Sequence, residues 1–248
     1  MIRLGLGVDP MAVQTGPAAF APEAGIRNFV FLGEAGSGKS EIAINIAQLL
    51  LARQDGAVHF FDLDMTKPLF RSRDLARPLE EAGLCFHYEE QFMDAPTITG
   101  GVNRLLRDSS CYTVLDVGGD YIGARSVGGY APLLNAEATA VYYVMNPYRP
   151  WSTTIDRIDR VLGETLGVSH VQLEKLRLIG NPNLGLQTTA EDVAEGCRRL
   201  KEMVEPYKPL EFFCVQDTLL DGAAALTDVP LLPLRLYLTY PWEQPGGL

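Results

Sequence analysis

The sequence predicts an α/β fold, a three-layer α/β/α sandwich on a mostly parallel central sheet of about seven or eight strands. Three observations predict it. Apolar strand candidates alternate with helical stretches along nearly the whole chain, the order that parallel strands and crossover helices produce. The strand candidates are continuous apolar runs without clean period-two alternation, as in TAVYYVM at 139–145, which suits strands covered on both faces. A glycine-rich turn, GEAGSGKS at 33–40, stands between the first strand candidate and the first helix candidate.

Residues 27–32 form the first predicted strand. After the glycine turn, 41–53 is a helix with Ile42, Ile44, Ile46, Ala47, Leu49, Leu50 and Leu51 on its apolar faces. Strand 57–62 follows, then helix 73–82 and a short strand, 84–88. Residues 97–107 read as helix, 111–116 as strand, and 124–134 as a helix broken at Gly128-Gly129. Strand 139–145 leads into helix 152–166, where Ile155, Ile158, Val161, Leu162 and Leu166 recur at helical spacing and Ser152 is placed to cap. Strand 176–179, helix 189–204 and strands 212–215 and 234–238 come last. No repeat or linker interrupts this run. The expected organisation is an N-terminal arm over 1–24, rich in Gly, Ala and Pro, and a single domain over 25–248 with a non-helical end at 241–248.

A chain of 248 residues buries roughly 70–75% of its unfolded surface and needs no covalent staples. Its four cysteines are far apart and form no C-x-x-C, which fits a reducing cytoplasm rather than a disulfide framework. The net charge of −10 and the scatter of the basic residues argue against direct nucleic-acid binding, which needs cations gathered on one face. No apolar run approaches the ~20 residues of a membrane span, and the first residues lack a signal-peptide pattern. His59, His87 and His170 are dispersed in the sequence, so no transition-metal site is expected.

The chemistry concentrates in four segments. Residues 33–40 fit G-x-x-x-x-G-K-[ST], the phosphate-binding P-loop. Gly33, Gly36 and Gly38 let the backbone curl around Glu34, Ala35 and Ser37 so that N–H groups face phosphate oxygens. Lys39 is placed for the β- and γ-phosphates and Ser40 for Mg²⁺. The helix that begins there, with Glu41 in its first turn, adds its positive end. The second segment, 59–68, carries Asp62 and Asp64 at a strand end, a pair suited to holding Mg²⁺ through water or orienting an attacking water. In the third, 112–120, an apolar strand ends in Asp116, and Gly118-Gly119 lets backbone approach a γ-phosphate. Asp116 through Gly119 also fits D-x-x-G, and Gly123–Arg125 just beyond is a candidate switch segment. The fourth, MNPYRPWS at 145–152, stiffened by two prolines, places Tyr148 and Arg149 at the ligand edge.

The order and spacing of these pieces resemble the SIMIBI class of P-loop NTPases, and within it the CobQ/CobB/MinD/ParA group. The resemblance spans roughly residues 27–238. It implies that Asp62 helps activate the hydrolytic water with Asp64 beside it, that Asp116 helps hold Mg²⁺, and that Asn181 reads the adenine edge. The partition and division-site ATPases of that group begin the loop K-G-G-x-G-K-[ST], and their first lysine reaches across a dimer. Here Glu34 stands at that position, which argues against a nucleotide-sandwich dimer. Lys67, Arg71, Arg73 and Arg149 are the candidate replacement cations.

Two functions follow from the resemblance. One is a Mg²⁺- and ATP-binding switch, a weak ATPase acting on a protein partner, with a homodimer as one form the partner takes. The other is a ligase- or kinase-like enzyme of the dethiobiotin synthetase kind, phosphorylating a small carboxylate gripped by Arg71, Arg73 or Arg149.

Overall fold

The computed structural model describes residue 20 and residues 22–64, 72–88 and 101–238. Most of the expected arm, the cations Lys67 and Arg71, residues 97–100 of an expected helix and the end at 241–248 lie outside the described residues.

Eight strands form one sheet: β1 (Asn28–Gly33), β2 (Ala57–Leu63), β3 (Cys85–Tyr88), β4 (Cys111–Val117), β5 (Thr139–Met145), β6 (Leu176–Gly180), β7 (Leu210–Gln216) and β8 (Leu231–Leu234). They lie in the order 3-2-4-1-5-6-7-8, and every neighbouring pair is parallel. The described helices are α1 (Lys39–Ala52), α2 (Ala76–Glu81), α3 (Val102–Leu105), α4 (Asp120–Arg125), α5 (Ala131–Leu134), α6 (Ile155–Ser169), α7 (Ala190–Val204) and α8 (Leu220–Ala224).

The apolar runs explain the three layers. In β1, Phe29 and Phe31 join Ile42, Ile46 and Leu50 of α1 on one face, while Val30 and Leu32 join Ile158 of α6 and Leu200 of α7 on the other. All four strand residues are fully buried, each worth roughly 1.5–3 kcal/mol relative to exposure. The chain leaves β1 toward β4 and β2 on one side, then crosses to β5 and beyond on the other. β1 is therefore the switch point of the sheet, where ligands of open parallel sheets collect at the carboxyl ends of the strands.

Three boundaries differ from expectation for physical reasons. The last strand is Leu231–Leu234, not 234–238. Beyond it, Arg235 exchanges two 2.9 Å hydrogen bonds with the Asn45 side chain, and the Glu41 carboxylate accepts from the N–H groups of Tyr237 and Leu238. The segment runs along α1 instead of along the sheet. This also explains why α1 is buried on more than one face. The helix expected from Ser152 begins at Ile155 with Thr154 as its N-cap residue, because Ser152 turns inward to another partner. The helix expected over 124–134 divides into α4, a 3-10 turn at Gly128–Tyr130 and α5. A Cβ on Gly128 would lie 2.5 Å from the Val168 carbonyl oxygen, so only glycine lets that turn pack on α6.

Candidate nucleotide-binding site

The phosphate loop leaves the end of β1 and closes on α1. Gly33, Gly36 and Gly38 take φ of 137°, 75° and 96°, the region that strains any side chain. Gly33 has a second constraint: a Cβ there would stand 2.4 Å from the Val144 carbonyl oxygen of β5. Lys39 folds back over the loop and donates from Nζ to the Glu34 carbonyl oxygen at 2.7 Å. Its ammonium therefore sits over the arch of the loop, with little exposure. Ser40 follows in the first turn of α1, and Glu41 is turned away to residues 237 and 238.

Asn181, at the end of β6, comes to the same loop. Its side-chain amide donates to the Ser37 carbonyl oxygen at 2.8 Å, so close that a Cβ on Gly38 would lie 2.1 Å from Nδ2. Asn181 thus braces the phosphate loop from the side on which the resemblance places the base.

The aspartates lie in a row. Asp62 of β2 and Asp116 of β4 are direct register partners, both almost fully buried. The Asp62 carboxylate is gripped by Arg73, with Nε to Oδ2 at 2.8 Å and Nη2 to Oδ1 at 3.1 Å, and it also accepts from the backbone N–H of Asp64 and of Arg73. The Arg73 fork also reaches the Asp64 carbonyl oxygen. That bonding raises the guanidinium pKa further, although burial opposes it. One residue earlier, the buried Ser72 hydroxyl donates to Asp116 Oδ2 at 2.8 Å. The 3-10 turn Ser72–Leu75 therefore caps both acidic strand ends.

Gly119 brings the third motif onto the loop. A Cβ there would lie 2.7 Å from both the Cα and the N of Ala35. Gly118 sits beneath Asp64 Oδ1, and Gly123 packs on the Gly118 backbone so tightly that a Cβ would lie 2.1 Å from its oxygen. Glycines here permit backbone-on-backbone contact, not unusual dihedrals.

Two links join the loop to the turn after β5. Arg149 Nε donates to the Gly36 carbonyl oxygen at 3.1 Å. Ser152 Oγ donates to Glu34 Oε1 at 2.5 Å. Burial pushes the Glu34 carboxyl up to about 7, against the lowering effects of Ser152 and Lys39. Tyr148 points elsewhere, its hydroxyl donating to the Asp192 carbonyl oxygen of α7.

The oxygen donors of Ser40 and Asp116 fit a hard dication such as Mg²⁺, and a buried lysine over a glycine arch fits phosphate. The Asp62 oxygens are engaged by Arg73, which leaves Asp62 better placed to hold that segment than to ligate an ion. Sequence reasoning missed Ser72, the Arg73–Asp62 fork and the Glu34–Ser152 bond, each spanning residues far apart or outside a motif. It also missed that parallel pairing of β2 and β3 brings His59 and His87 together, Nδ1 to Nε2 at 3.0 Å. Burial lowers the pKa of both. Among the described residues no group of three His, Cys, Asp or Glu is placed to hold a metal ion.

No protein-family model matches the chain, and no curated protein matches it significantly by sequence. Solved structures of similar shape include the signal recognition particle receptor FtsY from Elizabethkingia anophelis in complex with GDP, at 12% identity and TM-score 0.48, covering 83% of this chain. FtsY from Thermotoga maritima matches at 13% identity and TM-score 0.49, covering 83% of this chain and 67% of its own. The BceF tyrosine kinase domain matches at 19% identity and TM-score 0.38, covering 62% and 69%. The chain spans 62% of the length of the Elizabethkingia receptor. The fold, a P-loop α/β/α sandwich, rests on the chain's own topology and loop geometry.

Proposed function

We propose that this chain binds ATP with Mg²⁺ in the phosphate loop and acts as a nucleotide-dependent switch on a protein partner. Residues 25–248 form the nucleotide-binding domain in this reading, with 1–24 as an arm. The observation that carries it is the contact of Gly119 with Ala35. A segment that begins at the buried Asp116 rests backbone-on-backbone against the loop that takes the phosphates, so a change at the γ-position is felt directly by residues 118–125. The turn at Ser72–Leu75 is coupled to the same place through Asp116 and Asp62.

In this reading Lys39 and the loop amides hold the phosphates, Ser40 and Asp116 hold Mg²⁺, and the bound ion neutralises phosphate charge. Asn181 positions the loop beside the base. Hydrolysis is slow, because the water-activating candidate Asp62 is engaged by Arg73. That engagement also occupies one of the cations that carboxylate phosphorylation would need. The buried Glu34 turns toward Ser152 and offers no charge across an interface, which favours a different protein as partner over a nucleotide-sandwich dimer.

The test is calorimetric titration with Mg·ATP and Mg·GTP of the wild type and Lys39→Ala. Binding to the wild type and a loss of about 100-fold or more in the variant, roughly 2.7 kcal/mol, is the expected result. Equal affinity of the two proteins overturns the site.

A further inference from the structure

Glu34 is an unusual group to find in a phosphate loop. Its residue is 1% exposed. Oε1 accepts the Ser152 hydroxyl, while Oε2 is buried and has no hydrogen-bond partner among the described residues. The charged and titratable groups that face it are Lys39 from α1 and Tyr143 from β5, with the Ser152 hydroxyl from the turn before α6. Lys39 also carries the loop's own carbonyl contact. A carboxylate in such a place keeps few of the hydrogen bonds that water gives it, and an uncharged acid loses far less.

The same acid is the anchor of a neighbouring segment. The Ser152 backbone N–H bonds the Arg149 carbonyl oxygen at 3.1 Å, and the Arg149 N–H bonds the Asn146 carbonyl oxygen at 2.9 Å, so residues 146–152 form one wound turn. That turn meets the phosphate loop at two points, Ser152 on Glu34 and Arg149 Nε on Gly36. Lys39 and Arg149 are thus two cations hydrogen-bonded to the loop backbone. The arrival of a polyphosphate brings several negative charges within a few ångströms of residue 34, and like charges disfavour a second ionised group.

We propose that Glu34 is a positioning residue that works uncharged: it stays hydrogen-bonded to Ser152 beside the Arg149 contact on Gly36, and the negative charge of the arriving phosphates makes nucleotide binding take up a proton. The inference rests on the reading that this loop binds nucleotide. The proton comes from solvent and adds to one carboxylate oxygen; no other bond is made or broken. The burial-raised value of about 7 sets the window. Below it the acid is already neutral and binding needs no proton. Above it each pH unit costs about tenfold in affinity.

Calorimetry with Mg·ADP at pH 6 and pH 8, each in two buffers of different ionisation heat, tests this. The wild type should bind about tenfold more weakly at pH 8 and take up close to one proton there. Glu34→Gln, which keeps the shape and remains neutral, should bind alike at both pH values, and any titration of the nucleotide itself is common to both proteins. Ser152→Ala removes a bond that favours the ionised acid, so the fall in affinity should begin at a higher pH than in the wild type; a fall that begins at a lower pH counts against the proposal. Should Glu34→Gln fail to fold, the proton count on the wild type decides alone. Wild-type binding with no proton uptake at pH 8, or the same pH slope in Glu34→Gln, overturns the proposal while leaving the nucleotide site intact. No binding by the wild type at either pH overturns both.

Discussion

Glu34 also makes a statement about stability without any nucleotide. Its carboxyl is raised from an ordinary 4.5 to about 7. A group raised in the folded state contributes stability that is present below its unfolded value and lost as pH rises through the folded one. The native chain should therefore lose roughly 2–3 kcal/mol at this residue between pH 4.5 and 7. Glu34→Gln should melt higher than the wild type at pH 8 and close to it at pH 5, measured by calorimetry in buffer alone; a difference independent of pH would show that the acid is not the cause. Gly119 is the second residue whose identity matters. Its φ is −65°, unstrained for any side chain, so its requirement is purely steric. Gly119→Ala should push on Ala35 and weaken nucleotide binding about tenfold or more, with the fold retained by circular dichroism. At this scale the loop glycines, Lys39 and the three aspartates were legible from residue type and spacing. Ser72 and Ser152 were not, because a serine between unremarkable neighbours carries no pattern until its partner is known.

Among the elements, α1 and the segment after β8 depend on each other. The Asn45 side chain satisfies both the N–H and the C=O of Arg235, and Glu41 satisfies Tyr237 and Leu238. A strand of edge backbone is thus replaced by side-chain hydrogen bonds from a helix. Asn45→Ala should cost about 1–2 kcal/mol through two unmet backbone groups, and hydrogen exchange at 235–238 should rise well above that of β8. Unchanged protection there would mean that Glu41 alone holds the segment. The boundary error at the last strand arose here: the apolar run 234–238 looks like a strand, and only the position of Asn45 shows where its backbone is paired. Helix α7 was read nearly to the residue, because its start is local. Thr189 accepts from the Asp192 N–H and Asp192 accepts from the Thr189 N–H, a capping box visible in sequence as polar residues three apart.

Across the whole molecule, the parts of the site meet only because β1 lies between β4 and β5. That placement sets the ends of β2 and β4 on one side of the phosphate loop and the turns after β5 and β6 on the other. The switch reading predicts a distributed response. Saturation with a non-hydrolysable ATP analogue and Mg²⁺ should slow hydrogen exchange at Ser72–Leu75 and at 118–125 by more than Mg·ADP does, while β7 and β8 stay unchanged. Equal protection by the two nucleotides would remove the basis for a γ-phosphate switch. The sequence by itself determined the alternation of strand and helix, the two-sided burial of the strands, the phosphate loop and the acidic strand ends, since each is a pattern within a few residues governed by local backbone and hydration physics. Only the tertiary structure decided which groups face one another: Arg73 on Asp62, Ser72 on Asp116, Asn181 on Ser37, His59 on His87 and Ser152 on Glu34. Those contacts join residues brought together by the strand order, and strand order comes from burial of both sheet faces at once, which no local segment encodes.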